Sequence, residues 1–507
     1  MIQEIPNRAN RGYIGSMLIC NLLLFRFKGP WHVKDLYEAV MSKDTFAFSS
    51  ASLRSLRLEQ EFQDWEDARQ ALAHRRALTR APLPPAPRRP ERRQQGPLAR
   101  TPQLCRDPVV HNTFLCGDIT RVYAVLRDPA MVYALMETVQ EEMVWAPEMG
   151  MWTLASKTKQ TSALRLAAGR GHAACVEELL FRGAEVDASP GGGTALHDAC
   201  AGGHATCAQL LLSHGANPNC LNADGNAPLH LCRTAHTFQC AEALLQVDGA
   251  SVNVKSRDTE LTPLHVAARQ GLEEHVALFL CHGAEVSTRN REGETPLNAA
   301  CAGAERPMEA GRYLRVVQRL LGAGADPCTA GRKRHTPLHN ACGNCCPRIV
   351  HILLQHGAHA DAANCAGYTP MDCLLQVVED FPDQQPEEVA RCILNYGAPP
   401  TSPKVRSKML KLCCLSPLTL EVMLNSYDII PPCEYWIDFV PEELLKEHQV
   451  FFESARFMSG QPRSLQHLCR YAVRRHLGAL CHSVITKLDI PSCLREYLLL
   501  ATEGQLR

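Results

Sequence analysis

A four-residue motif recurs along the middle of the chain and constrains its fold more than any other feature. In its most regular form the motif is Thr-Pro-Leu-His. Its seven copies begin at Ser162, Thr194, Ala227, Thr262, Thr295, Thr336 and Thr369. The starts are 32, 33, 35, 33, 41 and 33 residues apart. A period near 33 indicates one small structural unit that is stacked on copies of itself.

The residue types in the motif predict the start of a helix. Thr is a favourable N-cap, because its hydroxyl accepts a hydrogen bond from an amide of the first turn. Pro suits the first helical position, where a missing N–H costs nothing. Each copy later returns to Gly-Ala, as at Gly183-Ala184 and Gly357-Ala358, and glycine suits a left-handed C-cap. Each unit is therefore predicted to be a helix, a short turn, a second helix and a polar turn.

This motif and its spacing resemble the ankyrin repeat. The resemblance implies an all-α solenoid, with about seven repeats over residues 161–400. Residues 104–160 are predicted to form a degenerate capping repeat and a connection, since an end repeat must shield the core of the stack. The histidines of the motif are expected to form hydrogen bonds within the turns rather than to act as bases.

Composition excludes some functional classes. The chain has 53 Lys and Arg against 53 Asp and Glu, and this neutrality argues against a bulk nucleic-acid binder, which usually carries a basic excess. The apolar stretch 14–25 is too short for a membrane span, which needs about 20 residues. No nucleotide-binding glycine motif and no metalloprotease motif is present. We therefore expect no catalytic residues, no cofactor, no nucleic acid and no membrane.

The 24 cysteines are predicted to be structural thiols. Cys200, Cys301 and Cys342 occupy the same position of their repeats, and buried free cysteine behaves as a small hydrophobic residue. Unpaired thiols favour a reducing compartment, the cytoplasm or the nucleus. The best alternative is a zinc site at Cys342, Cys345 and Cys346, but a second ligand pair at zinc-finger spacing is lacking. We expect no metal.

The N-terminal region divides by composition. Residues 1–50 are predicted to be a disordered extension, and residues 51–79 an amphipathic helix that covers the first repeats or binds a partner. Residues 80–103 hold seven prolines and six arginines against one acid. Proline at this density favours an extended linker, which serves as a spacer or, alternatively, as a nuclear-import or acidic-surface-binding segment.

Two repeats are longer than the others, and one turn is strongly basic. The extra residues are expected within 302–312 and 378–387, in loops. The turn before Thr336 contains Arg332, Lys333 and Arg334. Arg and Lys attract carboxylates and phosphates, so these residues are the candidate target-binding site, with a solvated turn as the alternative.

After the repeats, residues 401–461 are predicted to be a helical connector and residues 462–507 a separate small module. In this module Leu465, Leu468 and Cys469 share a helical face with Ala472, Val473 and His476. A module below about 70 residues rarely has a sufficient core of its own. Its apolar faces must therefore pack on the repeats or on another protein.

The C-terminal module resembles the SOCS box, and the combination with ankyrin repeats is that of the ankyrin repeat and SOCS box family. The resemblance implies an elongin C-binding helix and a cullin-binding segment. The elongin C residues would be Ser464, Leu465, Leu468, Cys469 and Val473. The cullin residues would be Leu488, Ile490, Pro491, Leu494, Tyr497 and Leu498. Asp489 replaces a proline of the family pattern, which puts cullin affinity in question.

The family resemblance implies a non-catalytic substrate-recognition subunit of a cullin-RING ubiquitin ligase. Its partners would be elongin B, elongin C, cullin-5 with a RING protein, and an unidentified protein target. The competing hypothesis is an ankyrin scaffold whose C-terminal helices only cap the solenoid. Binding of elongins to the chain distinguishes the two.

Overall fold

The computed structural model describes residues 103–146, 151–399, 410–430, 432–433, 436–504 and 506. The predicted extension 1–50, the predicted helix 51–79 and all but the last residue of the predicted linker 80–103 lie outside these residues. The strands are β1 (Leu104–Cys105), β2 (Leu135–Ala146) and β3 (Met151–Ser162).

The helices of the cap and repeats are α1 (Pro108–Cys116), α2 (Ile119–Val125), α3 (Ala163–Arg170), α4 (Ala173–Phe181), α5 (Ala195–Gly202), α6 (Ala205–Ser213), α7 (Phe238–Leu245), α8 (Pro263–Arg269), α9 (Glu273–Cys281), α10 (Pro296–Gly303), α11 (Ala310–Gly322), α12 (Pro337–Gly343), α13 (Pro347–Gln355), α14 (Pro370–Leu375) and α15 (Pro386–Asn395). The helices that follow are α16 (Pro417–Ser426), α17 (Glu442–Glu447), α18 (Gln449–Met458), α19 (Leu465–Leu477), α20 (Cys481–Ile485) and α21 (Ser492–Leu498). Short 3₁₀ helices lie at Pro129–Val132, Pro190–Gly192, Pro228–Leu231, Ala235–Thr237, Pro307–Glu309, Val378–Asp380, Pro382–Gln384, Ile437–Phe439 and Gly478–Leu480.

Seven helix pairs, α3/α4 to α14/α15, form the solenoid within the described residues. The prediction of a helical ankyrin-repeat solenoid is confirmed. In the third pair the 3₁₀ helix Pro228–Leu231 replaces the first α-helix. The predicted extra residues appear as 3₁₀ turns, and those near residue 310 also lengthen α11 to 13 residues, against 9 in α13.

The motif histidines link each repeat to the next one. In the sixth repeat the Thr336 amide donates to His339 Nδ1 at 3.2 Å, and His339 Nε2 lies 3.1 Å from the Tyr368 carbonyl. Because Nδ1 accepts, Nε2 carries the proton and donates. His197, His230 and His265 make the same bridges. The prediction that these histidines form hydrogen bonds in the turns is confirmed.

The repeat cysteines lie in the core, as predicted. Cys200, Cys301 and Cys342 are fully buried. Burial raises the pKa of Cys342 well above its ordinary value and that of Cys346 to about 11. These thiols therefore stay protonated and pack as small apolar side chains.

A sheet before the first repeat was not predicted. β2 pairs in parallel with β1 and antiparallel with β3, in a register that joins Leu135 to Ser162 and Ala146 to Met151. Met136 at its base is buried, whereas Val139 and Met143 are exposed. Among its described side chains, the hairpin between the cap and the repeats is thus buried at its base and exposed farther along β2.

One hydrophobic cluster extends from Phe114 in α1, through the repeats and the connector, to Leu506. In the connector Trp436, Tyr427 and Phe451 are buried, which joins α16 and α18 to the last repeat. Among the described residues, no side chain of α19 belongs to this cluster.

Candidate functional site

The site is centred on α19, whose ends are set by local sequence. The Ser464 hydroxyl accepts a hydrogen bond from the His467 amide at 3.3 Å, which caps the first turn. Arg474, Arg475 and His476 lie in the last turn, where positive charge favours the helix dipole. Gly478 follows with a φ of 51° and turns the chain toward α20.

The apolar face of α19 points to solvent. Leu465 is 78% exposed, Leu468 40% and Val473 39%, and Ser464 and Cys469 are also exposed. All five residues predicted to bind elongin C therefore lie on the accessible side of the helix. Ala472 and His476 of the same predicted face are exposed as well.

The buried face of α19 is polar. His467 Nε2 lies 2.7 Å from the Tyr427 carbonyl. His467 Nδ1 lies 2.9 Å from a guanidinium nitrogen of Arg463 and 2.9 Å from one of Arg470. Guanidinium nitrogens can only donate, so Nδ1 is the acceptor and Nε2 carries the proton. His467 is thus a neutral imidazole held between two cations.

Arg470 connects the helix to both neighbouring segments. Its guanidinium donates to Asn425 Oδ1 at 3.0 Å and to the Tyr497 carbonyl at 3.4 Å, and it stacks 4.2 Å from the centroid of the Tyr497 ring. Burial lowers the pKa of Arg470 to about 10, so the residue remains charged at neutral pH. In the part of the chain that the structure covers, no carboxylate forms an ion pair with Arg470.

Arg474 joins the module to the last repeat. Its guanidinium donates to Asn395 Oδ1 at 2.6 Å, to the Leu498 carbonyl at 2.7 Å and to the Leu394 carbonyl at 3.1 Å. His482 of α20 stacks on Tyr396, with ring centroids 4.9 Å apart. The module is therefore attached to α15 by polar and aromatic contacts.

The predicted cullin residues are not all accessible. Leu488, Pro491 and Leu494 are exposed, and Ile490 and Leu498 are half-buried. Tyr497 is 8% exposed, because its ring lies under Arg470. The expectation that Tyr497 lies on a binding surface is therefore corrected: the ring packs inside the module. Asp489 is exposed.

The basic turn lies on the edge of the sixth repeat, apart from the module. Arg332, Lys333 and Arg334 are exposed. The Arg332 amide donates to the Glu292 carbonyl at 2.7 Å, and the Lys333 carbonyl accepts from the Cys365 amide at 3.0 Å. The turn is thus fixed to the turns on both sides of it.

The alternative zinc site at Cys342, Cys345 and Cys346 has thiols suited to packing. All three are buried, and burial raises the pKa of Cys345 to about 12, which disfavours the thiolate that zinc requires. Over the described ranges, no group of three or more His, Cys, Asp or Glu side chains could hold a metal ion.

None of the helices in the described part of the chain has the length and hydropathy needed to cross a membrane.

Sequence reasoning missed the polar contacts that position α19. Asn395 and Asn425 gave no signal, since their role depends on residues about 80 and 45 positions away. A signal did exist in the helix itself. His467, Arg470 and Arg474 have the 3,4 spacing of one face, although such a basic stripe is normally solvated.

Known proteins share both parts of this chain. Family models described as ankyrin repeats match residues 164–256, 259–291 and 307–402, and the SOCS box model matches residues 461–499. Human ankyrin repeat and SOCS box protein 16 is 48% identical over 464 residues, which cover 92% of this chain and 99% of that protein. Human ankyrin repeat and SOCS box protein 18 is 42% identical over 400 residues, 77% of this chain and 86% of that protein. The crystal structure of the human ASB11 ankyrin repeat domain is 26% identical, covers 48% of this chain and 100% of that chain, and has a TM-score of 0.41.

Proposed function

The chain belongs to the ankyrin repeat and SOCS box protein family, and from this premise we propose that it is the substrate-recognition subunit of an elongin–cullin–SOCS box ubiquitin ligase. Membership implies a substrate-recognition role in a cullin-RING ligase, and SOCS box proteins generally bind elongins B and C and a cullin. In the proposed complex, the ankyrin array binds the target and α19 binds elongin C together with elongin B. Cullin-5 then brings the RING protein.

The observation that carries the proposal is the orientation of α19. A helix that only capped the solenoid would turn Leu465 and Val473 inward, since each buried aliphatic side chain is worth about 1.5–3 kcal/mol. Here the chain holds α19 by His467, Arg470 and Arg474 instead and leaves its apolar side chains exposed. An apolar helical face of this kind fits a hydrophobic groove of a partner, which we infer to be elongin C.

The proposed mechanism is positional. Binding of the target next to a charged ubiquitin-conjugating enzyme raises the effective concentration of a target lysine at the thioester. Because Arg474 and His482 attach the module to the last repeat, the separation between target and ligase is set by the solenoid. This role needs no catalytic residue in the chain, which acts as a non-enzymatic adaptor.

We propose the cullin contact on the exposed part of the second segment. Leu488, Pro491 and Leu494 present apolar surface there, and Ile490 and Leu498 contribute their accessible atoms. Tyr497 contributes indirectly, by packing under Arg470. We propose the cytoplasm or the nucleus as the location, in keeping with the reduced thiols of the repeats.

Co-purification with elongins tests the proposal. We expect the wild-type chain, expressed in human cells, to carry elongins B and C. A variant with Leu465→Asp and Cys469→Asp should lose both, because it places two charges on the apolar face. Its thermal unfolding should match that of the wild type, since both side chains are exposed.

A matched control separates the apolar contacts from added charge. Gln466→Asp with Ser483→Asp adds two negative charges at exposed positions outside the apolar face and should retain the elongins. Retention of elongins by the Leu465/Cys469 variant, or their absence from the wild type, would favour the scaffold hypothesis instead.

A further inference from the structure

The turns of the repeats form one continuous edge. Backbone hydrogen bonds of 2.7–3.0 Å join each turn to the next. In each bond the amide of one turn donates to a carbonyl of the turn before it. The four pairs are Arg257 to Gly225, Arg291 to Thr259, Arg332 to Glu292 and Cys365 to Lys333. The backbones of successive turns, from which the side chains extend, therefore keep fixed relative positions along this edge.

Positive charge is concentrated on three consecutive turns of the edge, residues 253–261, 286–294 and 328–335, which we name the basic edge. It carries seven cationic side chains, namely Lys255, Arg257, Arg289, Arg291, Arg332, Lys333 and Arg334. Its four acidic side chains are Asp258, Glu260, Glu292 and Glu294. The flanking turns each hold one charged residue, Asp224 and Asp361, and both are acidic. The excess of cations is local, in a chain whose Lys and Arg equal its Asp and Glu.

The arginines of the basic edge keep their charge available. Arg257, Arg332 and Arg334 are exposed, and their side chains form no hydrogen bond or ion pair with any described residue. Arg289 donates to the Ala330 carbonyl at 2.9 Å, and Arg291 to the Asp258 carbonyl at 2.9 Å. A carbonyl oxygen orients a guanidinium but does not neutralise it.

The spacing of the cations along the basic edge indicates what kind of molecule can bind there. Packed helices lie about 8–10 Å apart, so neighbouring turns present cations at about that interval. An extended peptide in the polyproline II conformation has three residues per turn and rises about 3.1 Å per residue, so acidic side chains at every third residue lie on one side of the peptide and meet successive turns. The acids between the cations would repel a uniform polyanion such as a nucleic-acid backbone.

We propose that the basic edge binds an extended segment of a partner protein that carries Asp or Glu at every third residue. The inference rests on the proposed function in one respect, that this partner is the target recognised by the ankyrin array.

Peptide binding to the full-length chain tests the proposal. The probe is a fluorescein-labelled peptide of four Glu-Ser-Gly units, and its counterpart has Gln in place of Glu. We expect anisotropy to report binding of the Glu peptide at low salt, weakening as salt screens the charges, and no binding of the Gln peptide. Arg257→Glu with Arg332→Glu and Arg334→Glu should weaken binding at least about tenfold, since each exposed pair contributes modestly and reversal makes it repulsive.

The control variant makes the same change in net charge elsewhere. Arg127, Arg348 and Arg456 are exposed and form no side-chain bond with the described residues. Their replacement by Glu should alter peptide affinity by less than about twofold. Equal weakening by the two variants, no binding of the Glu peptide, or tighter binding of a single-stranded DNA oligonucleotide would overturn the proposal. The variant of the basic edge should still co-purify with elongins, whereas a wild-type chain without elongins would contradict the proposed function alone.

Discussion

Two amphipathic helices of this protein, α13 in the sixth repeat and α19 in the C-terminal module, face opposite ways. Helix α13 buries its aliphatic face, with Leu353 fully buried and Leu354 3% exposed. Helix α19 exposes Leu465 and Val473 and buries His467 and Arg470 instead. Spacing alone predicts an apolar face in both, but it does not say what covers that face.

The reversal requires that the buried face of α19 be satisfied by hydrogen bonds. A buried charge is costly unless it is paired or hydrogen-bonded. The carbonyls of Tyr427, Tyr497 and Leu498 and the amide oxygens of Asn395 and Asn425 accept these bonds. The protein therefore fixes α19 by polar contacts and leaves its apolar contacts for another molecule.

The first prediction compares how much one leucine of each helix contributes to the stability of the chain. Leu353→Ala should lower the free energy of unfolding by about 2–5 kcal/mol, because it leaves a cavity in the packed stack. Leu465→Ala should change it by less than about 0.5 kcal/mol, because the side chain is 78% exposed. Urea denaturation of both variants measures the difference, and equal losses would mean that Leu465 is covered by this chain.

The second prediction concerns the buried polar face. Arg470→Ala removes hydrogen bonds to Asn425 and Tyr497 and the stacking on the Tyr497 ring. Local opening of α19 should become easier by about 1–3 kcal/mol, which faster hydrogen exchange of its amides would report. Arg475→Ala, at an exposed position of the same helix, is the control and should leave exchange unchanged. Identical exchange in the two variants would show that the buried contacts do not hold the helix.

Local signals explain what the sequence predicted well. The N-caps and the left-handed glycines act within a few residues and recur with the period, so the helix pairs could be predicted from them. The histidine bonds to the next repeat, about 29 residues away, were not predicted. The hairpin β2/β3 could not be predicted, because among its described side chains Met136 is buried but Val139 and Met143 are exposed, so little of its apolar surface is covered by the rest of the chain. The burial of Tyr497 was missed because it depends on Arg470 of another helix.

The third prediction concerns the pH dependence of the stability of the ankyrin array, the part of the chain to which α13 belongs. Burial lowers the pKa of His265 to about 4 and also lowers the pKa values of His197, His230 and His339. An unfolded imidazole has a pKa of about 6.5, so below that pH the unfolded chain binds protons that the folded array does not. The contribution of these neutral histidines to stability is therefore complete above a pH of about 6.5. It should be lost as the pH falls toward about 4, by about 1.4 kcal/mol per pH unit for His265, and the lowered pKa values of the other three histidines add to this loss.

One repeat has asparagine instead of histidine at the same position of the motif, and this residue suggests the control for the pH dependence. Asn298 occupies the motif position of His265. It also donates to a carbonyl of the following turn, that of Thr329 at 3.0 Å, although this carbonyl lies earlier in its turn than the Glu294 carbonyl to which His265 donates. His265→Asn should therefore keep the link between repeats and remove one titrating group. Urea midpoints at several pH values should show a shallower acid loss in this variant. An unchanged slope would show that His265 does not contribute to it.

The smallest expected effect lies at Asp489, where the chain departs from the family pattern. Asp489→Pro should strengthen cullin-5 binding a few-fold, because proline restricts the exposed segment before α21 and so reduces the entropy lost on binding. The substitution costs no backbone hydrogen bond within the described residues, since the Asp489 amide donates none there. Elongin binding should be unchanged, because Asp489 lies outside α19.

Asp489→Asn separates the effect of removing the charge from the effect of restricting the backbone. A gain in cullin-5 binding with Asn as large as with Pro would assign the effect to the charge, and a gain with Pro alone would assign it to backbone restriction. Titration of cullin-5 onto purified elongin complexes of the wild type and of both variants measures the three affinities. Equal affinities would mean that position 489 lies outside the cullin contact.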